Sequence, residues 1–153
     1  MRTFTASSGK PPAGNSLFVD TWGWLVLEDG KDPAHSRAVD VRRKYSAQGT
    51  LVTTDYVLDE TFTRLFARRP FPEAATFDKA ILEAAGAGAL LLERVTRERF
   101  ERAWRLRLRY QDKPRISFTD LTSFVVMKEL GIRNVLTAHT HFVQVQADFS
   151  ILP

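Results

Sequence analysis

Short unbroken apolar runs recur along the chain, separated by longer stretches in which apolar positions return every three or four residues. The runs are LFV at 17–19, LVTT at 51–54, ALLLERV at 89–95, NVLTA at 134–138 and FSIL at 149–152. Runs of this length, rich in branched aliphatic residues, predict buried strands. The helix-length intervals between them predict βαβ units around a mainly parallel sheet. Helices are expected over 21–28, 33–47, 55–68, 71–85, 96–110 and 119–130, the second opening with Pro33, whose fixed φ suits a first turn. In the third, Val57, Leu58, Thr61, Phe62 and Leu65 share one face, which should pack on the sheet. In the fifth, Phe100, Ala103, Trp104 and Leu108 are expected to pack inward, with Arg99, Arg102, Arg105 and Arg109 largely toward water. Gly86 and Gly88 mark one helix end and Gly131 another, because glycine accepts the left-handed cap conformation.

Residues 1–15, MRTFTASSGKPPAGN, are rich in Ser, Gly and Pro and are expected to form a disordered leader or a remnant of expression. Residues 16–153 then form one α/β domain, with no internal repeat. With 153 residues and 44% hydrophobic content, the chain is long enough for one core. It contains no cysteine, so disulfides, thiolate metal sites and cysteine nucleophiles are excluded, in keeping with a cytoplasmic location. Any metal must sit on oxygen or imidazole. No apolar run approaches the roughly 20 residues needed to span a bilayer, and no signal-peptide pattern opens the chain. A net charge of +4 favours a polyanionic partner, either nucleic acid or an acidic protein segment.

In a parallel α/β sheet the ligand site lies beyond the carboxyl ends of the strands. Three acids should converge there: Asp20 directly after LFV, Glu60 in the helix after LVTT, and Asp120 at the start of the helix after SFT. Carboxylates brought together repel one another unless a cation compensates them, and a hard oxygen cage suits Mg²⁺ or Mn²⁺. Such an ion activates water and stabilises charge developing on a phosphoryl group. The alternative for each acid is ordinary helix capping. Asp59 adjoins Glu60 in the same helix and cannot face the same way.

The segments LFVDTWGW around Asp20, TTDYVLDETFTRL around Glu60, ISFTDLTSFVVMKELGI around Asp120 and VLTAHTHF near the C-terminus resemble PIN domains, in particular VapC-type toxins. The resemblance runs from about Leu17 to Pro153. It implies a three-layer α/β/α sandwich, a homodimer, an Mg²⁺- or Mn²⁺-dependent endoribonuclease acting on RNA, and an antitoxin protein as partner. By position, Asp20, Glu60 and Asp120 match the first three acids of the family's catalytic and metal-binding site. The fourth acid is replaced by His139. A neutral imidazole is a softer ligand and removes one negative charge. Three outcomes stay open: loss of activity, a shift in metal preference toward Mn²⁺ or Zn²⁺, or tolerance of the change. Asp148 is a poor candidate to replace the missing acid. The alternative function is a catalytically weakened PIN-like module that binds RNA or antitoxin.

Thr137, at the end of its strand, is the leading candidate to orient an acid from behind; Thr21, Ser117, Thr119, Thr122 and Ser123 also place hydroxyls nearby. His141 is expected to be structural and His35 a solvated surface residue. Of Trp22 and Trp24, one should enter the core and the other face a second copy. The arginines between 94 and 109 suit either RNA phosphates or a solvated helix face. A receiver-like phosphoacceptor lacks its second acid and lysine here, and no glycine-rich phosphate loop follows the first strand.

Overall fold

A computed structural model describes residues 15–145 and 149–153 of the chain. Five strands, β1 (Ser16–Val19), β2 (Thr50–Thr54), β3 (Leu90–Glu93), β4 (Asn134–Leu136) and β5 (Ser150–Leu152), form one sheet in the order β3-β2-β1-β4-β5. Every pairing is parallel. Seven helices among the described residues cover it: α1 (Thr21–Glu28), α2 (His35–Gln48), α3 (Asp55–Arg68), α4 (Phe71–Gly86), α5 (Arg97–Arg109), α6 (Phe118–Leu130) and α7 (His141–Val145). The α/β class and the layered α/β/α arrangement are those expected from the sequence.

The core joins Leu17, Phe18 and Val19 of β1 with Val52, Val135, Leu136 and the inner faces of the helices. Helix α6 is buried without a break from Asp120 through Met127, its small polar residues Thr122 and Ser123 included, and so is enclosed by protein on all sides there. Gly131 closes it in the left-handed conformation, at φ 69°. In the turn after α4 the left-handed residue is Gly88, at φ 80°.

Helix α5 corrects the sequence expectation. Arg99 and Ala103 are its buried residues, whereas Phe100, Trp104 and Leu108 are about half exposed. Arg99 turns inward because two acids meet it: Glu93 accepts from Nη1 at 2.8 Å, and Glu129 accepts from Nε at 3.2 Å and from Nη2 at 3.0 Å. A buried charge persists when it is paired and hydrogen-bonded in this way. Two further differences are local. His35 is not free in solvent, since its Nδ1 lies 2.8 Å from the Val26 carbonyl and ties α2 to α1. The NVLTA strand stops at Leu136, and the HTHF segment, instead of continuing it, forms a turn and opens α7.

The strand order reverses beside β1. The chain runs outward from β1 through β2 to β3, then returns to place β4 on the other side of β1. The loops leaving the carboxyl ends of β1 and β4 therefore diverge to opposite faces and leave a crevice between them. Asp20 follows β1, and the residues from Thr137 to His139 follow β4.

Candidate metal centre

Register brings the first two contributors together. Val19 is paired with Leu136, and the Asp20 amide donates to the Leu136 carbonyl at 3.3 Å. Asp20 also supplies the extended N-cap residue of α1 without using its side chain to cap, so its carboxylate is free to enter the crevice. Asp120 arrives from the other side, in the first turn of α6. Its backbone N–H donates to Ser117 Oγ at 3.0 Å, which makes Ser117 the cap. The loop preceding that turn is clamped by Arg107, which donates to the carbonyls of Ile116, Tyr110 and Lys113 at 2.6, 2.5 and 2.8 Å.

Asp20, Asp120 and His139 offer one ligand atom each within 4.8 Å of one another, and both acids are buried. Thr137 Oγ1 donates to Asp20 Oδ2 at 2.8 Å and accepts from the His139 amide at 3.1 Å. His139 Nδ1 lies 3.4 Å from the same Asp20 oxygen but has no hydrogen-bond partner. Asp20 Oδ1 is likewise buried and unpartnered. Two buried ligand-type atoms left without a hydrogen-bond partner among the described residues are the pattern expected of metal ligands, so the donor set fits a divalent cation bound through oxygen and, with the imidazole neutral, one nitrogen.

The electrostatics agree with that fit. Burial, and then the neighbouring Asp120, push the Asp20 carboxyl up to about 6, against opposing help from Thr137, His139 and the Thr21 amide. Asp120 is also raised, first by burial; His139, His141 and Ser117 oppose the rise and Glu60 adds to it. Glu60 is thus close enough to repel Asp120. Its carboxylate, however, is held by Arg64 at 2.6 Å, one turn along α3, and it stands outside the cluster of three. Asp59 is exposed.

The sequence profile of the PIN domain matches residues 17–148. The chain belongs to the PIN domain family. Among curated proteins it is similar to the 23S rRNA-specific endonuclease VapC20 of Mycobacterium tuberculosis, from strains CDC 1551 / Oshkosh and ATCC 25618 / H37Rv. Each is 36% identical over 119 residues, which is 77% of this chain and 85% of the relative. Among solved structures it is similar to the crystal structure of M. tuberculosis VapC20, described as a sarcin-ricin loop cleaving toxin. That match has a TM-score of 0.73 and 29% identity, covering 90% of this chain and 99% of the other.

Within this PIN domain, sequence reasoning underweighted His139 and did not single out Arg107. His139 follows a strand of only three residues, so nothing in the local pattern says where its ring points. Arg107 sits among other arginines of α5, and only its three carbonyl partners distinguish it. Trp24 enters the core, donating from its indole N–H to Thr53 Oγ1 at 3.2 Å. Trp22 is partly buried and lines a cleft with His139. Asp148 lies outside the described residues. No helix among the described residues is long and apolar enough to cross a membrane.

Proposed function

We propose that this PIN domain is a divalent-metal-dependent endoribonuclease, the toxin of a toxin–antitoxin pair, and that its substrate is 23S rRNA, as named for its relative. The observation that carries the proposal is the Asp20–Asp120–His139 cluster, with both acids buried and Asp20 Oδ1 unpartnered, set in the crevice beside β1. Asp20 and Asp120 would hold the ion through oxygen and His139 through nitrogen, with Mg²⁺ or Mn²⁺ as the fitting cations and the imidazole favouring Mn²⁺. Bound there, the cation supplies Lewis acidity that generates a nucleophilic water and neutralises charge at the phosphodiester. Thr137 keeps the Asp20 carboxylate aimed into the crevice and holds the backbone that carries His139. Glu60, whose charge reaches Asp120, would join the donor set on releasing Arg64.

The test is cleavage of an RNA hairpin of 23S sequence with Mg²⁺ or Mn²⁺, comparing the wild type with Asp20→Asn. Metal-dependent cleavage by the wild type and a loss of at least a hundredfold in the variant are expected. Equal activity in both proteins would remove Asp20 from the chemistry.

The histidine itself favours a second reading, a weakened PIN-like module that binds RNA or antitoxin, because it removes one negative charge from the cage. His139→Asp separates the two. If the wild type cleaves with Mn²⁺ and the aspartate variant gains activity mainly with Mg²⁺, the site is a retuned nuclease. An inert wild type rescued by the aspartate supports the binding module.

We also propose a homodimer, an antitoxin partner and a cytoplasmic setting. The half-exposed stripe of Phe100, Trp104 and Leu108 on α5 supports a second copy as its cover. Trp104→Glu should then shift the protein from dimer to monomer in light scattering. The cleft of about 320 Å³ among α1, α2 and α4, with Trp24, Leu27, Phe77 and Ile81 in its walls, has the apolar lining that a peptide of an antitoxin would fill.

A further inference from the structure

A groove of about 730 Å³ lies between α5 and the α6–α7 pair, with Arg102, Arg105, Arg109 and Lys128 around it. Glu129 is its one acidic lining residue among the described residues, and both Glu129 oxygens accept from Arg99, with Arg102 3.5 Å away. Its negative charge is therefore compensated. Arg105, Arg109 and Lys128 have no acidic partner within 4.0 Å among the described residues. The floor includes the apolar side chains of Phe124 and Val145. Cations of one sign over low-dielectric walls focus their field on whatever occupies the cleft.

The groove and the metal centre share helix α6. Phe124 and Lys128 follow Asp120 by four and eight residues on one stripe of α6, which places them roughly 6 and 12 Å along the helix from the catalytic acid. Helix α7 also links the two regions: it begins at His141, whose ring centroid is 6.1 Å from that of His139, and ends at Val145 on the groove wall. Arg102, Arg105 and Arg109 line one side of α5 over roughly 10 Å, about the rise of three phosphates along one strand.

We propose that this groove is an RNA-binding surface that grips the phosphates of the substrate strand flanking the scissile bond. The inference rests on the nuclease reading and names where the rest of the substrate lies. An acidic peptide would answer to the same charges. The two helices that link the groove to the metal centre favour the polyanion that the proposed nuclease would cleave.

The probe is a fluorescent RNA hairpin of 23S sequence, bound in EDTA so that nothing is cleaved and followed by anisotropy across a salt series. The double variant Arg105→Gln/Arg109→Gln should bind about tenfold or more weakly. Its plot of log affinity against log salt should be shallower by about 2, one for each phosphate that is no longer neutralised. Lys128→Gln, on the other wall, should lower the slope by about 1. In cleavage with Mn²⁺, the defect of the double variant should fall on KM. Unchanged affinity and slope in the double variant would overturn the proposal, as would unchanged RNA binding alongside abolished binding of a polyglutamate peptide. Because binding is read without metal, an inert wild type would refute the nuclease reading while leaving the groove to be decided by the salt slopes.

Discussion

Thr137 commits one hydroxyl to two bonds, donating to Asp20 and accepting from the amide that carries His139. It touches no substrate in this scheme and acts by holding ligands in place. Partners of this kind are worth about 10- to 100-fold in metal affinity. Thr137→Val keeps the shape and removes the hydroxyl, so Mn²⁺ binding measured by calorimetry should weaken by about tenfold, while Thr137→Ser should restore most of it. Asp78 poses the opposite case, a buried carboxylate whose two oxygens have no hydrogen-bond partner among the described residues. Burial raises its pKa to about 6 from an ordinary 3.8. A raised folded pKa means that the stability Asp78 contributes is fully present below about 3.8 and is lost as pH rises through about 6. Asp78→Asn should therefore stabilise the protein by about 1–2 kcal/mol at pH 7.5, with the gain vanishing near pH 4, as read by chemical denaturation at each pH.

At the scale of elements, the seat of α1 on β4 decides how well the site is formed. A Cβ on Gly23 would lie 2.6 Å from the Leu136 carbonyl oxygen, the same atom that accepts the Asp20 amide. Gly23→Ala must push α1 outward or tilt that carbonyl, and overpacking of this kind costs about 1–3 kcal/mol. The expected outcome is a lower Tm together with weaker Mn²⁺ binding; a fall in Tm with intact metal affinity would uncouple the helix seat from the site. Helix positions were legible in the chain because caps, glycine stops and apolar spacing are local signals, as α3 illustrates: Thr54 accepts from the Val57 amide where the pattern begins. The orientation of α5 was not legible. Its apolar stripe and its arginines give two candidate inner faces, and the acids that draw Arg99 inward come from β3 and from the end of α6.

For the whole molecule, the Asp20–Asp120 pair is a concentration of unfavourable charge, which a cation bound in the proposed centre would compensate. Asp20 and Asp120 both have raised folded pKa values, so without metal their contribution to stability falls as pH rises through about 6 for Asp20. Metal binding requires the deprotonated acids and reverses that loss. Saturating Mn²⁺ should raise Tm at pH 7.5 by several degrees, a gain of about 2.7 kcal/mol at a hundredfold excess over Kd, and should do little at pH 5. Equal shifts at both values would mean that the ion binds elsewhere.

The sequence by itself determined the five strands, the six long helices, the parallel α/β class and the presence of Asp20 and Asp120 at the carboxyl end of the sheet, because apolar period and chain order suffice for each; it did not show the short helix α7. It also carried the family resemblance that the PIN profile match bears out. Only the tertiary structure decided that His139 joins those two acids while Glu60 turns to Arg64, that Arg99 is buried, and that Arg102, Arg105 and Arg109 of α5 border a groove with Lys128 of α6. The physical reason is that a side chain's partner depends on which distant segment packs against it. Asp20 and His139 are neighbours because β4 returns beside β1, and no local pattern encodes that return.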